Sequence, residues 1–320
     1  VGAASRNSHC LIRVLHNKGM RRKLTRLILV GLAFLLVGLA LSSGAHQAPA
    51  NDFHFSILGD RTGSAAPEIY GRIWREIDML GPAFVINVGD TIQGGRDERA
   101  ESDWQQVWPT LQRYRRYPLF LVPGNHDIWS EHSRQLFEKY AGRKVPYSFD
   151  YQNAHFVVLD NSQTTTLADD QHEFLERDLR AHRDRRPKFV FLHKPFWLAP
   201  LRLGSGEFRL HQLARQYGVD YVISGHTHNF ARMTRDGVTY MIVGSSGASL
   251  ARYLSDPANF SRGFFYHHVW VHVKGTEARF TVKELSGSPG QGRMFRAEDW
   301  GPDGPQFDPE DPARKDRPET

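Results

Sequence analysis

The stretch VINVGDTIQGG, residues 85–95, runs an apolar strand directly into Asp90, with a glycine before the acid and two more after it. A Gly-Asp pair ends many strands as a simple turn, so this stretch alone decides little. The same construction recurs four times. HFSILGDRTGS places Asp60 behind an apolar run, PLFLVPGNHD places Asn125, His126 and Asp127, KFVFLHKP places His193, and VDYVISGHTH places His226 and His228. Five predicted strands thus deliver carboxylate, amide or imidazole at their C-terminal ends. Open α/β sheets bind ligands just outside those ends.

Between the strands lie helical patterns with one apolar face. Ile69, Ile73, Trp74, Ile77 and Leu80 form the first stripe and Trp104, Val107, Trp108 and Leu111 the second. Leu136, Phe137 and Tyr140 form a third, Phe174, Leu175 and Leu179 a fourth, and Leu210, Leu213, Ala214 and Tyr217 a fifth. Such stripes are core packing, and their alternation with strands predicts a layered α/β fold. After them, VTYMIVGSSG, FFYHHVWVHVKG and EARFTVKEL read as strands, the last two joined by a short turn at 274–276, so a mixed sheet closed by an antiparallel hairpin is expected. From residue 286 onward Gly, Pro and charge dominate, and the reading is a flexible tail over 286–320. The catalytic domain is placed at 51–285.

The chain has 320 residues and a formal charge of +6. Its first 51 residues carry seven basic side chains and no acidic one, leaving 34 basic against 35 acidic beyond them. That near-neutral body lacks the basic footprint of a nucleic-acid binder, and no nucleic-acid binding is expected. The charge belongs to a leader: MRRKLTR, an apolar run at 27–41, then Ser43, Gly44 and Ala45. This is a signal-peptide pattern over 1–45, with 1–19 read as an over-extended start ahead of Met20. The apolar run is shorter than the ~20 residues of a usual membrane span. Export to a periplasmic or extracellular location is expected, with 27–41 either cleaved or kept as a membrane anchor. The only cysteine, Cys10, precedes that run, so the body has no thiolate ligand or thiol nucleophile.

Asp, Asn and His side chains gathered at strand ends make a mixed oxygen and nitrogen site suited to Mn, Fe or Zn. Asp90, alone at its strand end, is placed to bridge two ions. A pair of metals generates hydroxide near neutral pH and clamps both the attacking and the leaving oxygen of a phosphate ester.

The ordered set Gly59-Asp60, Gly89-Asp90, Gly124-Asn125-His126-Asp127, His193 and Gly225-His226-Thr227-His228 resembles the calcineurin-like metallophosphoesterase superfamily, which includes purple acid phosphatases and Ser/Thr protein phosphatases. The resemblance spans residues 53–243 and extends to about 285 with the closing strands. It implies a layered metallophosphoesterase-like β-sandwich flanked by helices, with the metal site at the C-terminal ends of the strands. It further implies that Asp60 and His228 bind one metal, that Asp90 bridges, and that Asn125, His193 and His226 bind the other. His126 resembles the catalytic histidine, oriented by Asp127, that contacts the phosphoryl group or protonates the leaving alkoxide. Two positions depart from the pattern. Thr62 stands where many members have a histidine, and Gln93 stands where purple acid phosphatases have a tyrosine, which leaves its side-chain carbonyl as a possible metal ligand.

The function expected from this set is an exported, metal-dependent phosphoesterase acting on small phosphorylated substrates, preferentially monoesters. The alternatives are a phosphodiesterase or pyrophosphohydrolase on nucleotides or lipid head groups, and a catalytically inactive metal-binding envelope protein. Arg61, next to Asp60, is a candidate phosphate contact. His267, His268 and His272 resemble a ligand cluster, but strand alternation turns His267 away from the other two. His54 and His155 read as ordinary strand residues. Trp129, Phe196, Trp197 and Phe230 are candidate cleft walls, and the segment 198–207 is a candidate rim loop.

Overall fold

The structure, a computed structural model, describes residues 51–63, 65–204, 207–250, 260, 262–285 and 292–300. In chain order its elements are β1 (Asp52–Leu58), α1 (Pro67–Leu80), β2 (Val85–Asn87), α2 (Asp97–Arg113), β3 (Leu119–Leu121), α3 (Glu131–Ala141), β4 (Tyr147–Tyr151), β5 (Ala154–Val158), α4 (Asp169–Ala181), β6 (Lys188–Phe191), α5 (Leu198–Leu203), α6 (Arg209–Tyr217), β7 (Tyr221–Ser224), β8 (Phe230–Arg235), β9 (Val238–Val243), β10 (His267–Lys274), β11 (Glu277–Glu284) and β12 (Met294–Arg296), with a 3-10 turn at Ala297–Asp299 after the last strand.

Strand alternation sorts the apolar side chains into an inner and an outer set. Phe53, Phe55 and Ile57 of β1, Phe156 and Val158 of β5, Phe189 and Phe191 of β6, and Val269, Val271 and Val273 of β10 share one buried core. The neighbours one residue out of phase face the other way: Val85 and Leu121 meet the helices α1, α2 and α3, while Val157, Val190 and Val222 meet α4 and α6. Two six-stranded sheets therefore stack face to face with helices outside each. Their orders are β12-β11-β10-β1-β2-β3 and β4-β5-β6-β7-β9-β8. Consecutive parallel neighbours run from β1 to β3 at one end of the first sheet and through β5, β6, β7 and β9 in the middle of the second. The expected hairpin is β10 with β11. The layered α/β sandwich is thus the fold observed.

Most of the apolar stripes are buried where the periodicity placed them. In α1, however, Leu80 is 48% exposed and Tyr70 is buried beside Ile73, Trp74 and Ile77; Leu80 borders a surface cavity that Trp270, Thr281 and Met294 also line. The stretch read as a tail from 286 is also structured in part. Met294–Arg296 pair with Thr281–Lys283 of β11, and Trp300 packs edge-on against Phe230 with ring centroids 5.2 Å apart. Two aromatic side chains, Phe295 and Trp300, bring this segment onto the core despite its polar composition. Residues 286–291 and 301–320 lie outside the described part.

The localisation expectation requires correction. No helix among the described residues is long and apolar enough to cross a membrane. Residues 1–50, including the leader at 27–41, lie outside the described residues.

Phe156 sits at the centre of the inner aromatic layer. It stacks on Phe189 and on Phe149, each at 4.8 Å, and meets Phe55 and Phe84 edge-on at 5.5 and 5.3 Å. We expect Phe156→Ala to lower the unfolding free energy by about 3–5 kcal/mol, measured as a shift in the urea midpoint.

Candidate metal centre

All the sequence-singled ligand candidates lie just beyond the ends of parallel strands. Asp60 comes after β1, Asp90 after β2 and Asn125 after β3, all in the first sheet. His193 comes after β6, and His226 and His228 after β7, both in the second. The stacking of the sheets brings the two groups face to face. Two sets of potential donors result, Asp60, Asp90 and His228 in one, Asp90, His193 and His226 in the other, with the ligand atoms of each set within 4.8 Å of one another. Asp90 belongs to both. Spacings of this order suit donors sharing an ion about 2 Å from each.

The backbone is bent to present these groups. Six non-glycine residues among those described have a positive φ, and four of them are Asp60 (54°), Asp90 (54°), His226 (75°) and His228 (51°). Left-handed conformations in residues with a Cβ cost of order 1 kcal/mol or more each and gather at functional sites. Glycines make room for these side chains, Gly89 beside His193 and Gly63 beside His228 among them. A Cβ on Gly124 would collide with Asp90 Oδ1, and one on Gly225 with Asp60 Oδ2.

Main-chain donors hold the carboxylates. The His226 N–H donates to Asp60 Oδ1 at 2.8 Å and the His126 N–H to Asp90 Oδ1 at 3.0 Å. Three buried acceptors nearby have no hydrogen-bond partner: Asp60 Oδ2, Asn125 Oδ1 and His193 Nε2. His193 is the most telling. Its Nδ1–H donates to the Val88 carbonyl at 2.9 Å, which leaves Nε2 as a lone pair only 3.2 Å from Asp90 Oδ1. Two acceptors that close repel unless a proton or a cation lies between them. A proton on Nε2 is one such link. Burial opposes it, but the carboxylates of Asp90 and Asp60 raise the His193 pKa to about 9. Asp90 is correspondingly held well below the usual carboxylate range, His193 outweighing the upward push of burial. Asp60 is pushed well above that range by burial and by repulsion from Asp90. His226 falls to about 4 through burial and the neighbouring His193, and burial lowers His228 as well; neutral imidazole is the form that ligates a metal.

Two other clusters of His and carboxylate groups, around His155 and His211, differ in this respect. His155 has both ring nitrogens engaged, at 2.7 Å from Asp150 and 2.6 Å from Asp178. Those of His211 meet Tyr240 Oη at 2.8 Å and Asp236 at 3.1 Å. Along β10, His267 faces the core, while His268 contacts Glu76 at 3.3 Å and His272 contacts Asp52 at 2.9 Å.

Several sequence-based roles look different in three dimensions. Asp127 does not hydrogen-bond the His126 ring. Its Oδ1 accepts from Thr91 N and Ile92 N at 2.8 and 3.2 Å and its Oδ2 from Gly124 N at 2.9 Å, so it ties the loops after β2 and β3 together. Burial and the Asp90 charge raise its pKa to about 7. His126 is half-buried, and its Nδ1 meets the main-chain carbonyl of Gln93. Gln93 itself is exposed and reaches the site through that carbonyl. Thr62 is fully buried and donates its hydroxyl to the Asp90 carbonyl at 3.1 Å, fixing the backbone of the shared acid. Arg61 is held by the Thr91 carbonyl at 3.1 Å and lies over Tyr70.

One contributor was missed in the sequence. Asn161 Oδ1 accepts from the His193 and Lys194 N–H groups, both at 3.1 Å, and its amide donates to the Lys194 carbonyl at 2.8 Å. The signal was available, since FVVLDN at 156–161 is another apolar run ending in polar residues. Of the candidate cleft aromatics, Phe196 borders a cavity beside the centre, Trp197 and Phe230 are buried in the cores, and the Trp129 indole donates to Asp97 at 2.8 Å.

The calcineurin-like phosphoesterase family model matches residues 50–230, which contain every one of these positions. The chain belongs to that family. Among curated relatives, purple acid phosphatase 15 of Arabidopsis thaliana is 27% identical over 158 residues, 41% of this chain and 30% of that one. Tartrate-resistant acid phosphatase type 5 of Rattus norvegicus is 24% identical over 319 residues, 82% of this chain and 95% of that one. In fold, the chain is similar to purple acid phosphatase PPD1 from yellow lupin, with a TM-score of 0.56 and 18% identity over 78% of this chain and 54% of that one. The chain thus spans less than a third of the Arabidopsis protein's length, while it spans nearly all of the rat relative's.

Because a Cβ at position 225 would displace Asp60 Oδ2, Gly225→Ala is expected to reduce bound metal while leaving the far-ultraviolet circular dichroism unchanged. Elemental analysis of the purified variant against the parent reads the outcome.

Proposed function

We propose that this chain is a dinuclear-metal phosphoesterase that hydrolyses phosphate monoesters. The observation carrying this reading is the set of buried, unpartnered acceptors, Asp60 Oδ2, Asn125 Oδ1 and His193 Nε2, arranged around the shared Asp90. Uncompensated buried acceptors of this kind are costly, and cations relieve them all at once. In this reading Asp60 and His228 hold one ion, Asn125, His193 and His226 hold the other, and Asp90 bridges. The oxygen and nitrogen donor set suits Mn, Fe or Zn. Such ions, when bound, lower the pKa of water and polarise phosphoryl oxygens.

The chain's own groups do the rest. Asn161 and Val88 fix the His193 ring and backbone, so that Nε2 is presented rather than free to rotate. Hydrogen bonds from His126 and Thr62 hold the Asp90 side chain and carbonyl. His126 is the group assigned to proton delivery. With its Nδ1–H anchored on the Gln93 carbonyl, Nε2 is the atom left to exchange a proton with the ester oxygen as the leaving alkoxide develops. Arg61 is assigned to positioning the loop after β1 rather than to phosphate, because its guanidinium already serves Thr91 and Tyr70. The similarity to acid phosphatases supports monoesters as the substrate class.

The test is hydrolysis of p-nitrophenyl phosphate and of its bis ester by protein reconstituted with Mn, Fe or Zn, beside Asp90→Asn. Metal-dependent release from the monoester that falls at least a hundredfold in the variant is the expected result. Metal binding without turnover of either ester would instead point to a binding protein. A chelator titration adds a second check. The ion on Asp60 and His228 has fewer protein donors than the ion on Asn125, His193 and His226, and Thr62 contributes no ligand to it. We therefore expect one equivalent of metal to leave at a lower chelator concentration than the other, and simultaneous loss of both would contradict the assignment.

A further inference from the structure

Beside the metal centre lies a cavity of about 700 Å³, bordered on the centre's side by Asn125 and His226. A phosphate group alone leaves most of that volume unfilled, since cavities of this size hold whole organic ligands. Its far wall is α5. Leu198, Ala199, Arg202 and Leu203 border the cavity, and at 100° per residue these positions share one helical face. Leu201 lies to one side of that face and, with Leu198, packs on the outer core. The helix is thus anchored along one edge while Ala199, Arg202 and Leu203 border the cavity. Leu203, 77% exposed, is one of four large exposed hydrophobic residues among those described, and it lines this cavity. Phe196 and Pro195 continue the apolar wall.

The charge of the lining has a single sign. Lys194 and Arg202 are present and no carboxylate is. Lys194 is steadied by its Nζ donating to the Thr164 carbonyl at 3.0 Å. A cationic entrance with an apolar wall matches an anionic ester whose alcohol is apolar. It matches a sugar or polyol poorly, because the α5 wall offers hydroxyl groups few acceptors.

We infer that the cavity receives the leaving group of the ester, that this group is an alkyl or aryl alcohol of about six carbons or more, and that Leu203 and Phe196 set this specificity. The inference rests on the phosphoesterase reading and names its substrate class.

Primary alkyl phosphates test it, because ethyl, butyl and hexyl phosphate differ in apolar length and hardly at all in leaving-group chemistry. With metal-loaded protein, kcat/KM for phosphate release is expected to rise about tenfold or more from ethyl to hexyl, and glycerol 3-phosphate is expected to fall at the ethyl end or below. In Leu203→Ser the hexyl-to-ethyl ratio is expected to drop several-fold. Leu203 is exposed, so that substitution is compatible with folding. Binding of hexylphosphonate and ethylphosphonate, which cannot be hydrolysed, is measured by calorimetry in parallel. Hydrolysis of all three esters with a flat dependence on chain length, or a ratio unmoved in Leu203→Ser, overturns the inference while leaving the phosphoesterase reading intact. Tighter binding of hexylphosphonate that weakens in Leu203→Ser, with no turnover of any ester including p-nitrophenyl phosphate, upholds the apolar pocket and overturns the phosphoesterase reading.

Discussion

Two carboxylates buried at the junction of two sheets, Asp60 and Asp90, set the terms for the rest of this structure. Removing them from water is expensive unless something of opposite charge or a set of aligned donors replaces the lost solvation. The protein supplies one main-chain N–H to each from a residue of another strand end, His226 for Asp60 and His126 for Asp90. It leaves a remainder that main chain cannot satisfy. Asp60 Oδ2 and His193 Nε2 have no hydrogen-bond partner, and His193 faces Asp90 at 3.2 Å. The site is built to a charge deficit of the kind that a cation offsets.

The fold explains how such a deficit is tolerated. Parallel strands buried on both faces are stabilised by apolar contact along their whole length, whatever loops lie beyond their ends. Phe55, Phe156 and Phe189 on the inside, with Trp74 and Trp104 beneath the helices of the first sheet, provide that contact. The strained left-handed turns at Asp60, Asp90, His226 and His228 therefore rest on a scaffold whose stability does not depend on them. Polar side chains tie one loop to the next: Thr62 joins the loops after β1 and β2, Asp127 those after β2 and β3, and Asn161 those after β5 and β6.

The cavity alongside is a product of the same arrangement. The loop after β6 carries His193 into the centre and then proceeds, within five residues, to α5. Residues of that helix and Asn125 and His226 of the centre line one cavity. The side of the cavity formed by α5 is apolar apart from Arg202 and carries no acid, in contrast to the Asp and His groups of the centre.

Much of this was legible in the sequence, for physical reasons that differ from residue to residue. Period-2 and period-3.6 patterns expose burial directly, so the strands and the inner faces of α1, α2, α4 and α6 could be read from residue order. The placement of Asp60, Asp90, Asn125, His193, His226 and His228 at strand ends was equally local information. What the sequence by itself determined is which chemistry-bearing residues leave which strands, because that is fixed by chain position alone. Only the tertiary structure decided what they do to each other. Asp127 serves three backbone N–H groups rather than the His126 ring, Thr62 holds the Asp90 carbonyl, Asn161 supports His193, and Trp300 draws a polar terminal segment onto the core. Each of these is a contact between elements far apart in the chain or a choice among competing hydrogen-bond partners. Such choices are settled by the stacking of the two sheets, which no local pattern encodes.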